Sequence, residues 1–289
     1  MAALSTRHSL TLAPFLAAAS LFALSYGCAV CHWPKPQVPP PPGFTFVWSD
    51  DFNGADGSAP DPAKWTFATG GNGWGNHELE YYTTRPKNAH LKSGNLVIMA
   101  RKEKYTGSDG VTRDYTSARL KTKGFFNQAY GRFEARMKIP AGQGLWPAFW
   151  LLGDNIDSAP WPACGEIDIM ENIGKEPGTV HGSLHGPSNA TKTMDLTSAF
   201  TLPDGKKLAD DFHIYALEWE PETIRFYLDS YNYATFTKSQ WTAGPWVFNH
   251  PFFIILNVAV GGDWPGPPDS STVFPQQMLV DYVRVYSKP

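Results

Sequence analysis

Three carboxylates, Glu166, Asp168 and Glu171, interleaved with Ile167, Ile169 and Met170, constrain this chain more than any other stretch. A helix cannot use them together, because at about 100° per residue positions i and i+5 diverge by about 140°. A strand carries Glu166 and Asp168 on one face by its period of two and would send Glu171 to the other. One bulged residue between Asp168 and Glu171 restores the parity and turns all three acids the same way. The outer two then lie effectively four strand positions apart, about 13 Å along the backbone at ~3.3 Å per residue. Two glutamate side chains leaning inward over a concave sheet close most of that gap, toward the roughly 5–5.5 Å that a retaining glycosidase uses. A solvated strand face or a calcium loop fits less well. Aromatics crowd both flanks, and calcium loops carry Gly and Asn between ligands rather than Ile and Met.

The rest of the chain also favours strands. Leu96–Ala100, Arg132–Ile139 and Ile214–Trp219 have strand patterns, and in Arg132–Ile139 the apolar Phe133, Ala135, Met137 and Ile139 alternate with charges. A turn at Pro221-Glu-Thr223 leads into Ile224–Leu228 and predicts a hairpin, and the uniformly apolar Phe252–Leu256 predicts a central strand. No long amphipathic helix competes. With 26 Gly, 25 Pro and no α/β alternation, the pattern predicts an all-β fold of two antiparallel sheets packed face to face.

Residues 44–289 are predicted to form one domain. Before it, residues 31–43 form a Pro-rich linker, stiff and extended. Residues 1–30 read as a signal peptide: Arg7 and His8 precede an apolar run from Leu10 to Leu24, broken by Thr11, Pro14 and Ser20. The run is too short and interrupted for a transmembrane helix. Ser25-Tyr-Gly-Cys28 is a weak lipobox, so both a lipid anchor at Cys28 and ordinary cleavage near residue 30 stand open, and the product is expected to be secreted or extracytoplasmic. Three cysteines, Cys28, Cys31 and Cys164, cannot staple a disulfide framework, and Cys164 reads as a small packing residue. A net charge of −3 with scattered Lys and Arg argues against a nucleic-acid partner and for a neutral polymer substrate. The 11 Trp suit sugar stacking as well as packing.

Glu166-Ile-Asp168-Ile-Met-Glu171 is preceded by Gly131-Arg-Phe-Glu-Ala-Arg-Met-Lys-Ile-Pro and Gly144-Leu-Trp-Pro-Ala-Phe-Trp150. It is followed by Asn257-Val-Ala-Val-Gly-Gly-Asp-Trp264-Pro-Gly. Together these motifs resemble glycoside hydrolase family 16, from about Val47 to Tyr286. The bulged E-x-D-x-x-E form is similar to that of the laminarinase-like endo-β-1,3-glucanases, whereas the lichenase branch has E-x-D-x-E. The resemblance implies a bent β-jelly-roll sandwich with a concave substrate cleft, walled by loops such as Thr69–Asn76. It also implies a monomer acting on β-glucan with no catalytic cofactor, Glu166 as nucleophile, Glu171 as acid/base, and Asp168 hydrogen-bonded to the nucleophile and tuning it.

Sugar rings present apolar faces, so a glucan cleft needs flat aromatic platforms. Trp146 and Trp150 share strand parity, Trp264 lies in a Gly-Gly-Asp-Trp-Pro-Gly loop, and Trp161 precedes the acidic strand. Each reads as a sugar platform or as core. By the resemblance His185 is a cleft histidine, and Asn53 and Arg85 bind sugar hydroxyls, with structural or loop-stabilising roles as the alternatives. Asp281 shares strand parity with Val283 and Val285, which predicts an acid on an apolar face, a costly placement if unpaired. The family resolves such an aspartate with a structural calcium ion on the convex side, bound by Asp281 and by backbone carbonyls near Asp51 and Gly94. A hydrogen-bonded aspartate without metal is the alternative. Other functions compatible with the sequence are hydrolysis or transglycosylation of another polysaccharide (mixed-linkage glucan, agarose, carrageenan) and non-catalytic β-glucan binding, the last disfavoured by the presence of both glutamates.

Overall fold

The computed structural model describes residues 39–289. The expected signal peptide, Cys28 and most of the linker fall outside these residues. Residues 39–43 are mostly exposed and lie in no strand, and the first strand is Thr45–Asp50.

Two sheets make the fold. The first has seven strands in the order Thr193–Thr201, Thr179–Pro187, Glu166–Glu171, Leu145–Gly153, Phe252–Val260, Arg119–Lys121 and Thr66–Ala68, all antiparallel. The second has ten, with His213–Glu220, Gly131–Lys138 and Gln276–Ser287 at its middle. One pair in the second, Glu80–Tyr82 with Thr112–Ser117, is parallel, a local departure from the antiparallel expectation. The hairpin at Pro221 forms as predicted, with Glu220 opposite Thr223. All nine residues of Phe252–Val260 are buried, because Phe252, Ile254, Leu256, Val258 and Val260 enter the core while Phe253 and Ile255 pack with Leu152 and Cys164 on the opposite face. Between the sheets lies one continuous apolar core that includes Phe133, Phe149, Ile167, Trp219, Phe252 and Val283.

The acidic strand is bulged where parity demanded. Against one neighbour Asp168 faces Trp150 and Met170 faces Phe149; against the other Asp168 faces Ser183 and Glu171 faces His181. Three steps on one strand therefore span two on its partner. The extra residue lets Ile169 and Met170, adjacent in sequence, both enter the core beside Ile167. Glu166 and Glu171 stay partly accessible on the opposite face.

Asp281 corrects the parity argument made for it. The register with Gly131–Lys138 shifts between Val280 and Tyr282, so a second bulge falls at the aspartate and takes it off the apolar face. Its Oδ2 accepts a hydrogen bond from Arg136 Nη1 at 2.9 Å.

Candidate active site

A cavity of about 390 Å³ opens on the face of the seven-stranded sheet that is turned away from the core. Glu166, Asp168 and Glu171 line it, with Trp146, Trp150 and Trp161 among its walls. Trp146 sits on Leu145–Gly153 and donates from Nε1 to Glu171 Oε1 at 2.9 Å. Trp150, four residues on and on the same face, donates to Asn257 Oδ1 at 2.7 Å. Trp161 is 39% exposed, with Lys192 Nζ 5.2 Å from its ring centroid.

Trp264 stands beside this cavity, edge-on to Trp146 at 5.4 Å and against His181 at 4.9 Å. Its loop turns at Gly261 (φ 70°), where a Cβ would lie 2.5 Å from Leu79 Cδ1. Only glycine fits there without displacing a neighbouring side chain.

His185 lies behind the acids, its Nε2 2.9 Å from Asp168 Oδ2 and its Nδ1 2.6 Å from Asp195 Oδ1. Burial opposes charge on the ring, but the Asp168 carboxylate 2.9 Å away, then Asp195, outweighs it and pushes its pKa up to about 12. Burial, then the Asp168 charge, raises Glu166 to about 8. The same two causes hold Glu171 well above the ordinary carboxyl range, and the Trp146 N–H works against them. Glu166, Asp168 and His185 bring potential metal-ligand atoms within 4.8 Å of one another. An imidazolium clamped between two aspartates has no free lone pair for a metal.

Asn53 and Arg85 do not line this cavity. Asn53 is exposed in the loop after the first strand. Arg85 donates to Asn88 Oδ1 at 2.9 Å, pairs with Glu103 and lies 4.3 Å over the Tyr105 ring, contacts that brace its loop. Cys164 is buried with Leu152, Phe253 and Ile255, and burial, then Glu166, lifts its thiol to about 11, which suits packing and not attack.

Several wall residues went unread in the sequence. The loop through Trp74, Gly75 and Asn76 does wall the cavity, as expected, but Glu78 and Arg119 also line it. The Arg119 guanidinium is held between Trp74 and Trp150, 4.6 Å from each ring. Glu78 and Glu80 alternate across Leu79 as Glu166 and Asp168 do across Ile167, a period-two signal available in the sequence. Arg119 carries no comparable signal, because its role depends on two distant tryptophans.

An acidic cavity walled by tryptophans on one face of a β-sandwich defines a carbohydrate-active hydrolase. The model of glycosyl hydrolases family 16 matches residues 76–284, and the chain belongs to that family and is a glycoside hydrolase. It is 42% identical to a beta-glucanase of Rhodothermus marinus, over 93% of each chain. Among solved structures it is similar to the endo-beta-1,3-glucanase of Pyrococcus furiosus (TM-score 0.79, 48% identity, 84% of this chain and 94% of that one). It is likewise similar to the laminarinase catalytic domain of Thermotoga petrophila RKU-1 (TM-score 0.78, 46% identity, 85% and 98%). The jelly-roll sandwich expected from the sequence is thus shared with solved relatives.

Proposed function

We propose that the protein is an endo-acting β-1,3-glucanase that cleaves laminarin-type glucan by double displacement. The observation that carries this reading is the bulge that turns Glu166, Asp168 and Glu171 into one tryptophan-walled cavity. The substrate class is supported by the names of relatives 42–48% identical to this chain. Glu171 gives its proton to the glycosidic oxygen while a Glu166 carboxylate oxygen attacks the anomeric carbon and the aglycone departs. Water then displaces Glu166 from that carbon as Glu171 takes back a proton. Repulsion among three close acids keeps a proton on one of them, which suits a split between nucleophile and acid. Asp168, held by His185, tunes Glu166. Trp146, Trp150, Trp161 and Trp264 serve as sugar platforms.

We further infer that residues 1–30 direct export, with Cys28 a candidate lipid-anchor site, and that residues 31–43 are a spacer to the catalytic domain 44–289. A structural calcium ion at Asp281 is a separate proposal that leaves the reaction unchanged.

Glu166→Gln and Glu171→Gln should each remove hydrolysis of laminarin while preserving the fold and most glucan affinity. A reducing-sugar assay checks the first, and either variant keeping more than about a few per cent of activity refutes the assignment. Proton NMR of the first products should show the β-anomer; an initial α-anomer refutes double displacement.

A further inference from the structure

Glu80 is a carboxyl group that the reaction described above does not use. It is completely buried. Its Oε2 accepts the Val260 N–H at 2.6 Å, and its Oε1 has no hydrogen-bond partner. A buried ionised carboxylate with a bare oxygen is costly, whereas a protonated one turns that oxygen into a donor. The acceptor at hand is Glu78, two residues away and within side-chain hydrogen-bonding reach of Glu80; it is nearly buried and lines the cavity.

Hydrogen-bond polarity says which of the two keeps the proton. Trp150 Nε1 donates to Asn257 Oδ1 at 2.7 Å, and Asn257 Nδ2 donates to the Tyr82 hydroxyl at 3.1 Å. Tyr82 in turn donates to Glu78 Oε2 at 3.0 Å, and Asn76 Nδ2 reaches Glu78 Oε1 at 3.3 Å. Every donor in this chain points toward Glu78, so Glu78 is the anion and Glu80 the acid. Burial, then the charge and hydrogen bond of Glu78, raises Glu80 well above the usual carboxyl range. Other titratable or charged groups on the segments around the pair are His77, which pairs with Asp263, and Tyr81 and Tyr82 on the same segment, Arg113, Asp114 and Tyr115 on the paired strand, and Arg119 between Trp74 and Trp150; all are present in wild type and in Glu80→Gln alike. Phe252–Val260, on the remaining side, carries no charged residue.

We propose that Glu80 acts as a neutral carboxylic acid that donates from Oε1 to the Glu78 carboxylate and thereby positions the cleft wall, through Tyr82 and Asn257, at Trp150. Glu80 is a positioning residue. Its protonation is independent of the glucanase reading; only the consequence at Trp150 rests on that reading.

The test compares wild type with Glu80→Gln, whose amide is neutral at all pH values and can donate where the acid does. A raised folded pKa gives stability that is fully present below the unfolded value, about 4.3, and is lost as pH rises through the folded value. Melting temperatures should therefore nearly coincide near pH 4 and diverge in favour of Glu80→Gln by a few degrees as pH approaches about 9. Glu166 and Glu171 titrate in both proteins and cancel in the difference. A gap that is constant with pH, or that favours wild type more at alkaline pH, overturns the proposal. In the assay, Glu80→Ala should raise KM for laminarin several-fold at nearly unchanged kcat, with Glu80→Gln restoring KM. Failure of that rescue while the melting curves diverge as expected would refute the link to Trp150 and leave the protonation standing. Loss of laminarin hydrolysis by wild type itself would strike the glucanase reading alone.

Discussion

Trp146 has two duties that a conservative substitution separates. Its ring walls the cavity, and its N–H donates to Glu171. Burial and then Asp168 raise the Glu171 pKa, and the indole N–H partly offsets them by favouring the ionised form. Trp146→Phe keeps an aromatic face and removes that donor. A hydrogen bond to a charged group contributes about 1.5–3 kcal/mol, so the alkaline limb of kcat should move up by roughly one pH unit, with KM changed less than in Trp146→Ala. If the limb stays or moves down, Glu171 is not the acid. His185 gives a second readout with a defined sign. Its folded pKa is raised by Asp168 and Asp195 against burial, so its contribution to stability is fully present below about pH 6.5 and fades as pH rises toward about 12. The melting-temperature deficit of His185→Gln should therefore be largest below about pH 6.5 and shrink steadily in alkaline buffer; a deficit that grows with pH would mean that the ring is neutral.

The bulged strand offers a sharper test than any point substitution. Deleting Ile169 leaves Glu166, Asp168 and Glu171 on one face of a regular strand and removes one buried side chain from the core. The variant should lose about 2–5 kcal/mol of stability yet hydrolyse laminarin measurably above Glu171→Gln. Deleting Ile167 removes a similar side chain but turns Glu166 away from Asp168, and should abolish activity. Equal activity in the two deletions would refute the parity argument. The same rule of two was legible at one bulge and misleading at the other. Three like charges at 166, 168 and 171 could be reconciled only by an extra residue, so the sequence itself exposed the irregularity. Asp281 is a lone acid among valines, and nothing local distinguishes a bulged aspartate from one facing the core. Elements with strong periodicity, such as Gly131–Lys138 and Phe252–Val260, were readable for the same reason. The Arg119 clamp was not, because it joins strands and loops that meet only once the sheet is assembled.

Across the whole domain, Asp281 belongs to the ten-stranded sheet and is separate from the acids of the cleft. Gln276–Ser287 is paired along one edge with Asn95–Thr106 as far as Val280 opposite Leu96, and with Thr45–Asp50 from Val283 opposite Asp50. Asp281 thus falls in the stretch between those two pairings, past Leu96 on one partner strand and Asp50 on the other, so Gly94 and Asp51 follow in the loops just beyond. A carboxylate with backbone carbonyls is an all-oxygen donor set that suits calcium. Against this, Asp281 already accepts from Arg136, and Asp51 from Arg284 at 2.9 Å, so the ion-free domain has cationic partners for both acids. Calcium binding to the folded chain alone would add stability as RT ln(1 + [L]/Kd). Chelation should then lower the melting temperature by a few degrees, while chelated enzyme assayed well below that temperature keeps its activity. Asp281→Ala should abolish the calcium response and lower stability even without the ion, since Arg136 loses its partner. The decisive measurement is a thermal scan of both proteins with calcium and with chelator. Identical wild-type curves would refute the calcium proposal, and an activity lost on chelation at low temperature would place the ion in the reaction instead of the scaffold.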